Sequence, residues 1–113
     1  MAKVDKVCEK IMKLGAKQKL DAVIKFSEDS EDEIRVAVAQ ALALIPTYES
    51  GMALIPLLRD SSPIVRSTAA TSAATINAKH CEEYVKKLAF ADSDTNVREI
   101  AKRAFDVLKT SVM

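Results

Sequence analysis

The strongest constraint on the fold is a pattern that occurs three times along the chain. It centres on Arg35, Arg66 and Arg98, which are spaced 31 and 32 residues apart. An aspartate stands six positions before each arginine, and small or apolar residues stand one before it and two, three, six, seven and ten after it. These offsets place the residues on one side of a helix, so each repeat contains a helix with one stripe to bury.

A second helical segment precedes each of these helices, so the repeating unit is a helix pair. The periodicity and the breaks predict seven helices and no strand, with Gly15 ending the first: residues 4–14, 17–27, 31–45, 49–58, 63–77, 80–90 and 96–110. A period of about 31 residues with two helices per unit is the signature of an α-solenoid, in which stacked pairs bury faces that no pair can bury alone.

Composition supports an all-helical, water-soluble chain. Of the 113 residues, 49% are hydrophobic and 29% charged, and only two are glycine, which leaves too few turn-forming residues for a β-sandwich or barrel. The net charge of +1 gives no overall attraction to nucleic acid or to anionic membranes. We expect a cytoplasmic protein without membrane contact. The sequence has two distant cysteines, no signal-peptide pattern and no apolar run of membrane length.

Two segments carry a resemblance to a known family: LLRDSSPIVR (residues 57–66) and ADSDTNVR (residues 91–98). This arrangement of Asp, Ile or Val, and Arg resembles the HEAT repeat, and the short period resembles the HEAT-like repeats of the phycocyanobilin lyase type. The resemblance implies an all-α fold, a short right-handed α-solenoid of about three HEAT-like helix pairs. We expect one domain over residues 1–113, with a capping helix at 1–15 and repeats at 17–45, 49–77 and 79–110.

The resemblance also implies a structural ladder of Asp/Arg pairs along the repeats. Its members are Asp29, Arg35, Asp60, Arg66, Asp92 and Arg98. Each aspartate would cap the second helix of its own repeat, and each arginine would reach a neighbouring turn through charge-assisted hydrogen bonds. No nucleophile or metal ligand recurs with these pairs, so we interpret them as structural.

The second helices of the repeats predict a binding surface. In such a solenoid they line the concave side, where the first two repeats place small, uncharged residues: Val36, Ala39, Gln40, Ala43, Ser67, Ala70, Thr71 and Ala74. The third repeat places Glu99, Lys102, Arg103 and Asp106 there, as an outer cap would. A smooth, weakly apolar floor suits a partner helix or strand. We therefore expect a non-enzymatic protein–protein interaction or scaffold module, unless a helix of the chain itself covers this floor.

Two alternatives start from other features. The lysines Lys3, Lys6, Lys10, Lys13 and Lys17 form a stripe on the first helix that would suit nucleic acid or an acidic partner. The stripe has no interleaved aromatic residue or arginine, which favours a solvated face. Family analogy alone suggests a subunit of a lyase-like, protein-modifying enzyme.

No motif for catalysis, a cofactor or a metal is found. The acidic run at residues 28–33 is compatible with attraction of a basic partner or a divalent cation, but it lacks the glycine and the terminal glutamate of an EF-hand, and helix capping explains it. His80 and Cys81 are adjacent and point about 100° apart on a helix, so they cannot share a metal without further ligands. We expect no catalytic residue, cofactor or metal.

Overall fold

Seven α-helices follow one another along residues 2–111, the part of the chain that the computed structural model describes, and no strand occurs there. They are α1 (Ala2–Ala16), α2 (Leu20–Ile24), α3 (Asp32–Leu42), α4 (Tyr48–Leu58), α5 (Pro63–Thr75), α6 (Glu82–Ala91) and α7 (Thr95–Thr110). A short 3-10 helix, Lys79–Cys81, leads into α6. The prediction of an all-helical chain is confirmed.

The helices form two layers. Helices α1, α3, α5 and α7 each pack against the next and make the first layer. Helix α4 packs on α3 and α5, and α6 packs on α7, so these two form a second layer together with the short α2 beside α1 and α3. The Cα atoms extend over 37 × 30 × 16 Å. The smallest of these dimensions suits two layers of helices with axes 8–10 Å apart.

The core lies between the layers and is built from the repeated stripe. Twelve of the stripe residues are at most 3% exposed: Ala37, Val38, Ala41, Leu42, Ile45, Val65, Ala69, Ser72, Ala73, Val97, Ala101 and Leu108. The second layer contributes large aliphatic side chains that are equally buried, among them Leu54, Leu57, Leu58 and Val85. Burial of this apolar surface is the main force that holds the two layers together.

The helices of the first layer approach one another closely because small residues face each other. The Ser72 hydroxyl of α5 donates a hydrogen bond of 2.7 Å to the Ala39 carbonyl of α3, and both residues are buried. Gly15 of α1 lies against Ala41, where an added Cβ would stand 2.9 Å from the Ala41 Cβ. A larger residue at Gly15 would therefore push α1 away from α3.

The prediction that Gly15 ends the first helix is wrong. Helix α1 continues to Ala16, and the residue with left-handed backbone is Gln18, at φ 62°. The Gln18 and Lys19 amides donate 2.9 Å hydrogen bonds to the carbonyls of Gly15 and Leu14, which closes the helix end. This turn occupies the start of the second predicted helix, so α2 is only five residues long.

Candidate binding surface

Arginine–aspartate contacts join successive repeats. The Nε and Nη2 atoms of Arg35 donate to the two carboxylate oxygens of Asp60 at 2.9 and 3.0 Å, and Nη1 donates to the Asp29 carbonyl at 2.8 Å. Arg66 repeats the arrangement with the Asp92 carboxylate at 2.7 and 3.0 Å and the Asp60 carbonyl at 2.8 Å. Each arginine thus binds the carboxylate of the following repeat and the backbone of its own.

The aspartates hold the loops that precede the helices. Each carboxylate of Asp29, Asp60 and Asp92 accepts the backbone N–H two residues later, at 2.9 Å in all three cases. That N–H belongs to the residue just outside the helix, so these aspartates shape the entry turn without capping the first helical turn. Only α7 has an aspartate cap of the usual kind, in which Asp94 accepts from the Val97 N–H at 3.0 Å.

The contacts stabilise the ionised aspartates. Burial alone would raise the pKa of the Asp60 carboxyl, but the hydrogen bonds from Arg35 and from the Ser62 N–H outweigh it and hold that pKa below its usual range. The pKa of Asp92 is lowered against the same effect of burial, by Arg66 and the Asp94 N–H. The ion pairs Arg35–Asp60 and Arg66–Asp92 therefore contribute to the contact between neighbouring repeats.

Arg98, the third member of the series, has no carboxylate partner within residues 2–111. Its Nη1 donates to the Asp92 carbonyl, and its Nη2 donates to the Thr95 hydroxyl at 3.0 Å. At the other end of the series, the Asp29 carboxylate accepts no hydrogen bond from an arginine within residues 2–111. The bidentate contact thus occurs twice, between the first and second repeats and between the second and third.

The predicted concave residues divide by exposure. Gln40 and Thr71 are exposed, and Val36, Ala43 and Ala74 are partly buried. Three others are closed off from solvent: Ala39 and Ala70 are 0% exposed, and Ser67 is 7% exposed. Ala39 and Ala70 therefore offer no surface to a partner, whereas Ser67 keeps a small exposed fraction.

The exposed side of the first layer carries three grooves that run into one another. Groove A lies between α1 and α3, groove B between α3 and α5, and groove C between α5 and α7; their volumes are about 730, 310 and 400 Å³. Gln40 lines both A and B, whereas Thr71, Thr75 and Ile100 line both B and C. We call this continuous surface the groove face.

The three grooves differ in charge. Groove B has no charged lining residue, and its walls are small or hydroxyl-bearing apart from Gln40 and Ile100. Groove C contains one charge, Arg103. Groove A combines an apolar floor of Met12, Val36, Ala37, Cys8 and Ile64 with the carboxylates of Asp5, Glu9, Asp32 and Glu33, against the single cation Lys13.

Sequence reasoning missed most of groove A. Of its lining residues, only Val36 and Gln40 belong to the predicted partner-binding set, and Lys13 to the lysine stripe. Asp32 and Glu33 belong to the acidic run at residues 28–33, which was the one available signal. Asp5 and Ile64 lie 59 positions apart, and the packing of α1 and α5 on α3 brings them to one groove.

The lysine stripe lies on the solvent side of α1 and the turn after it. All five lysines are exposed, and Lys6, Lys10, Lys13 and Lys17 line a hollow of about 380 Å³ together with Glu9 and Leu14. None of the five forms an ion pair within the described residues. Glu9 and Lys13 belong to both the hollow and groove A, so the basic and the acidic surfaces share an edge.

His80 and Cys81 occupy the junction between α4 and α6. The His80 ring packs against Tyr48, with centroids 4.3 Å apart, and covers Gly51; within the described chain its two buried ring nitrogens have no hydrogen-bond partner. Cys81 is fully buried, its thiol donates to the Gly51 carbonyl at 3.3 Å, and burial raises its pKa to about 11. Residues 2–111 contain no group of three His, Cys, Asp or Glu side chains placed to hold a metal ion.

No protein-family model matches the chain, and no curated protein matches it. Among the helices of residues 2–111, none combines the length and the apolar character that a membrane span requires.

Proposed function

We propose that the protein is a non-enzymatic protein–protein interaction module, built as a short right-handed α-solenoid of HEAT-like helix pairs, which binds its partner on the groove face. The observation that carries the proposal is the continuity of the three grooves across α1, α3, α5 and α7. A surface of this kind offers a partner an extended contact, as the stacked repeats of solenoids do.

The Asp/Arg contacts and the packing support the solenoid arrangement. The same bidentate contact joins the first repeat to the second and the second to the third. Each helix of the first layer packs against its successor. A stack assembled by one repeated contact keeps its exposed side regular, which is what a groove that extends over several repeats requires.

The groove face also has the surface chemistry of a contact region. Around Thr71, which lines grooves B and C, the walls are short side chains that permit close approach of another chain. The hydroxyls of Ser67, Ser72 and Thr75 already donate to backbone carbonyls, so those of Thr68 and Thr71 are the donors that groove B offers. Ile64 and Val107, which line grooves A and C, are large apolar residues with exposed fractions of 62% and 46%. Apolar side chains next to hydrogen-bonding groups are typical of binding surfaces.

Substitution of Thr71 by tryptophan tests the proposal by filling the meeting point of grooves B and C. Thr110→Trp is the matched control, because Thr110 is also exposed and lines none of the three grooves. We expect the purified wild-type chain and Thr110→Trp to capture the same partner from a native extract, and Thr71→Trp to lose it while keeping its circular dichroism spectrum. Equal capture by all three chains would refute the groove face as the binding surface.

The exposed lysine stripe supports a second candidate function, binding of nucleic acid or of another polyanion. Four of its lysines line one hollow. Phosphate contacts release counterions, so affinity for duplex DNA should fall steeply between 50 and about 200 mM salt and should be lost in Lys10→Glu. Affinity that does not change with salt would eliminate this function.

A further inference from the structure

We propose that groove A binds a basic amphipathic α-helix of the partner protein, with apolar side chains on the groove floor and lysine or arginine side chains at its rim. The inference rests on the proposed function and adds the chemistry of the partner and the place where it binds.

The apolar floor of groove A ranges from buried Ala37 to exposed Ile64. Met12 and Cys8 of α1, Val36 and Ala37 of α3, and Ile64 from the first turn of α5 form it. Ile64 is 62% exposed, the second-largest exposed fraction among the large apolar residues of the described chain. An isolated exposed isoleucine is ordinary, but this one lines a groove together with four other apolar residues, and a partner side chain in that groove would cover it.

The rim of groove A carries unneutralised negative charge. Asp5, Glu9, Asp32 and Glu33 stand around the floor with Lys13 as the only cation, and none of the four carboxylates forms an ion pair within residues 2–111. The pKa of the Cys8 thiol in this groove is raised, first by burial and then by the negative charges of Glu33 and Asp5. Charge complementarity therefore favours a basic partner and disfavours an acidic one.

The walls of groove A select a helix over other peptide conformations. Strand addition needs a free sheet edge, and the described chain has no strand. Recognition of a polyproline helix needs an aromatic-lined groove, and no lining residue of groove A is aromatic. A groove between two helices instead accepts the apolar stripe of a third, with anchors at i, i+3, i+4 and i+7.

A second copy of this chain fits groove A poorly. Its basic helix is α1, but the apolar residues of that helix, Val4, Val7, Ile11 and Leu14, already pack against the core of their own chain. The second copy would offer lysines without apolar anchors. A partner helix with both features satisfies the floor and the rim at once.

A designed peptide tests the proposal directly. The probe is a fluorescein-labelled peptide of about 18 residues with leucines at i, i+3, i+4 and i+7 and lysines elsewhere, and a matched peptide carries glutamate in place of lysine. Fluorescence anisotropy measures binding of each peptide to the chain. We expect the lysine peptide to bind, its Kd to rise with salt, and the glutamate peptide not to bind.

Two pairs of variants locate the site. Ile64→Glu removes the apolar anchor, and its control is Phe90→Glu, at a residue that is 66% exposed and outside the groove. Glu33→Lys reverses a rim charge, and its control is Glu99→Lys, at an exposed residue of α7. We expect roughly tenfold weaker binding in Ile64→Glu and Glu33→Lys and little change in either control.

Three results would overturn the proposal: failure of the wild-type chain to bind the lysine peptide, equal loss in a variant and its control, or dimerisation of the wild type that Ile64→Glu abolishes in sedimentation velocity. The last result would assign the groove to a second copy. The proposed function is judged separately by Thr71→Trp, so a partner that Thr71→Trp loses and Ile64→Glu retains would refute groove A and leave the groove face in place.

Discussion

Removal of the Arg66 side chain should destabilise the protein more than any other change to the Asp/Arg contacts. Arg66 forms two hydrogen bonds to the Asp92 carboxylate and two to the carbonyls of Asp60 and Ser61. Its side chain is 14% exposed and that of Asp92 is 4% exposed. Loss of one partner from a buried ion pair costs about 3–5 kcal/mol, and the partial exposure of Arg66 places Arg66→Ala at about 3 kcal/mol.

Arg98→Ala is the comparison that isolates the carboxylate contact. Arg98 donates to one carbonyl and one hydroxyl and binds no carboxylate in the described chain, so its loss should cost about 1 kcal/mol. A double-mutant cycle with Asp92→Ala and Arg66→Ala should give a coupling energy of about 1–3 kcal/mol. Asp92→Ala also removes the bond to the Asp94 N–H, and the cycle corrects for that loss.

Urea unfolding followed by circular dichroism at 222 nm measures these differences. With a slope of about 1.5 kcal/mol per molar urea, Arg66→Ala should lower the unfolding midpoint by about 2 M and Arg98→Ala by well under 1 M. For a domain stable by roughly 5–15 kcal/mol, the first change is a large share of the total. Equal midpoints for the two variants, or coupling below about 0.5 kcal/mol, would refute the view that the bidentate contact holds neighbouring repeats together.

Three further outcomes follow from the packing and the pKa values. Gly51→Ala should destabilise the protein by about 1–3 kcal/mol in thermal unfolding, because the Cβ of the new alanine would stand 2.5 Å from the His80 Cε1. The double variant with His80→Ala should recover most of that loss. Because the pKa of Asp92 is lowered in the folded state, its carboxylate stabilises the protein above pH ~4, and this stability is lost as the pH falls through the folded-state pKa. Urea titrations between pH 5 and about 2 should therefore show a larger loss of stability in the wild type than in Asp92→Asn. Burial raises the pKa of Cys81 from about 9 to about 11, so the free energy of unfolding should fall as the pH rises across that interval. In Cys81→Ala the free energy of unfolding should fall less over the same interval. An identical fall in both chains would contradict the burial of the thiol.

The helices were predictable because their signals are local. The stripe around Arg35, Arg66 and Arg98 repeats with helical spacing, and Pro63 marks the start of α5 within one residue of its observed N-cap. Amphipathic periodicity and proline influence the backbone within one or two helical turns, so the positions of the helices can be inferred from neighbouring residues in the sequence. The all-helical prediction needed no knowledge of which helix packs on which.

The candidate binding surface was only partly predictable, because the exposure of a residue depends on the neighbouring helices. Ala39 and Ala70 stand on the side of the helix where the repeat pattern predicts a floor, yet both are fully buried, because small residues let the next helix approach until it covers them. Gly15 shows the same limit: its role is the close contact with Ala41, which a local pattern cannot reveal. Small residues on a helix therefore indicate close packing as readily as an open surface.

Two kinds of position are separate in this fold: those that fix the packing of the helices and those that line the exposed grooves. The stripe and the Asp/Arg contacts hold the repeats in register, and there the repeats agree. The exposed groove positions contribute little to the core, and there the repeats differ: groove A is acidic, groove B is uncharged and groove C carries Arg103. Changes at Arg66 should therefore alter stability first, whereas changes at Ile64 should alter binding and leave the unfolding midpoint nearly unchanged.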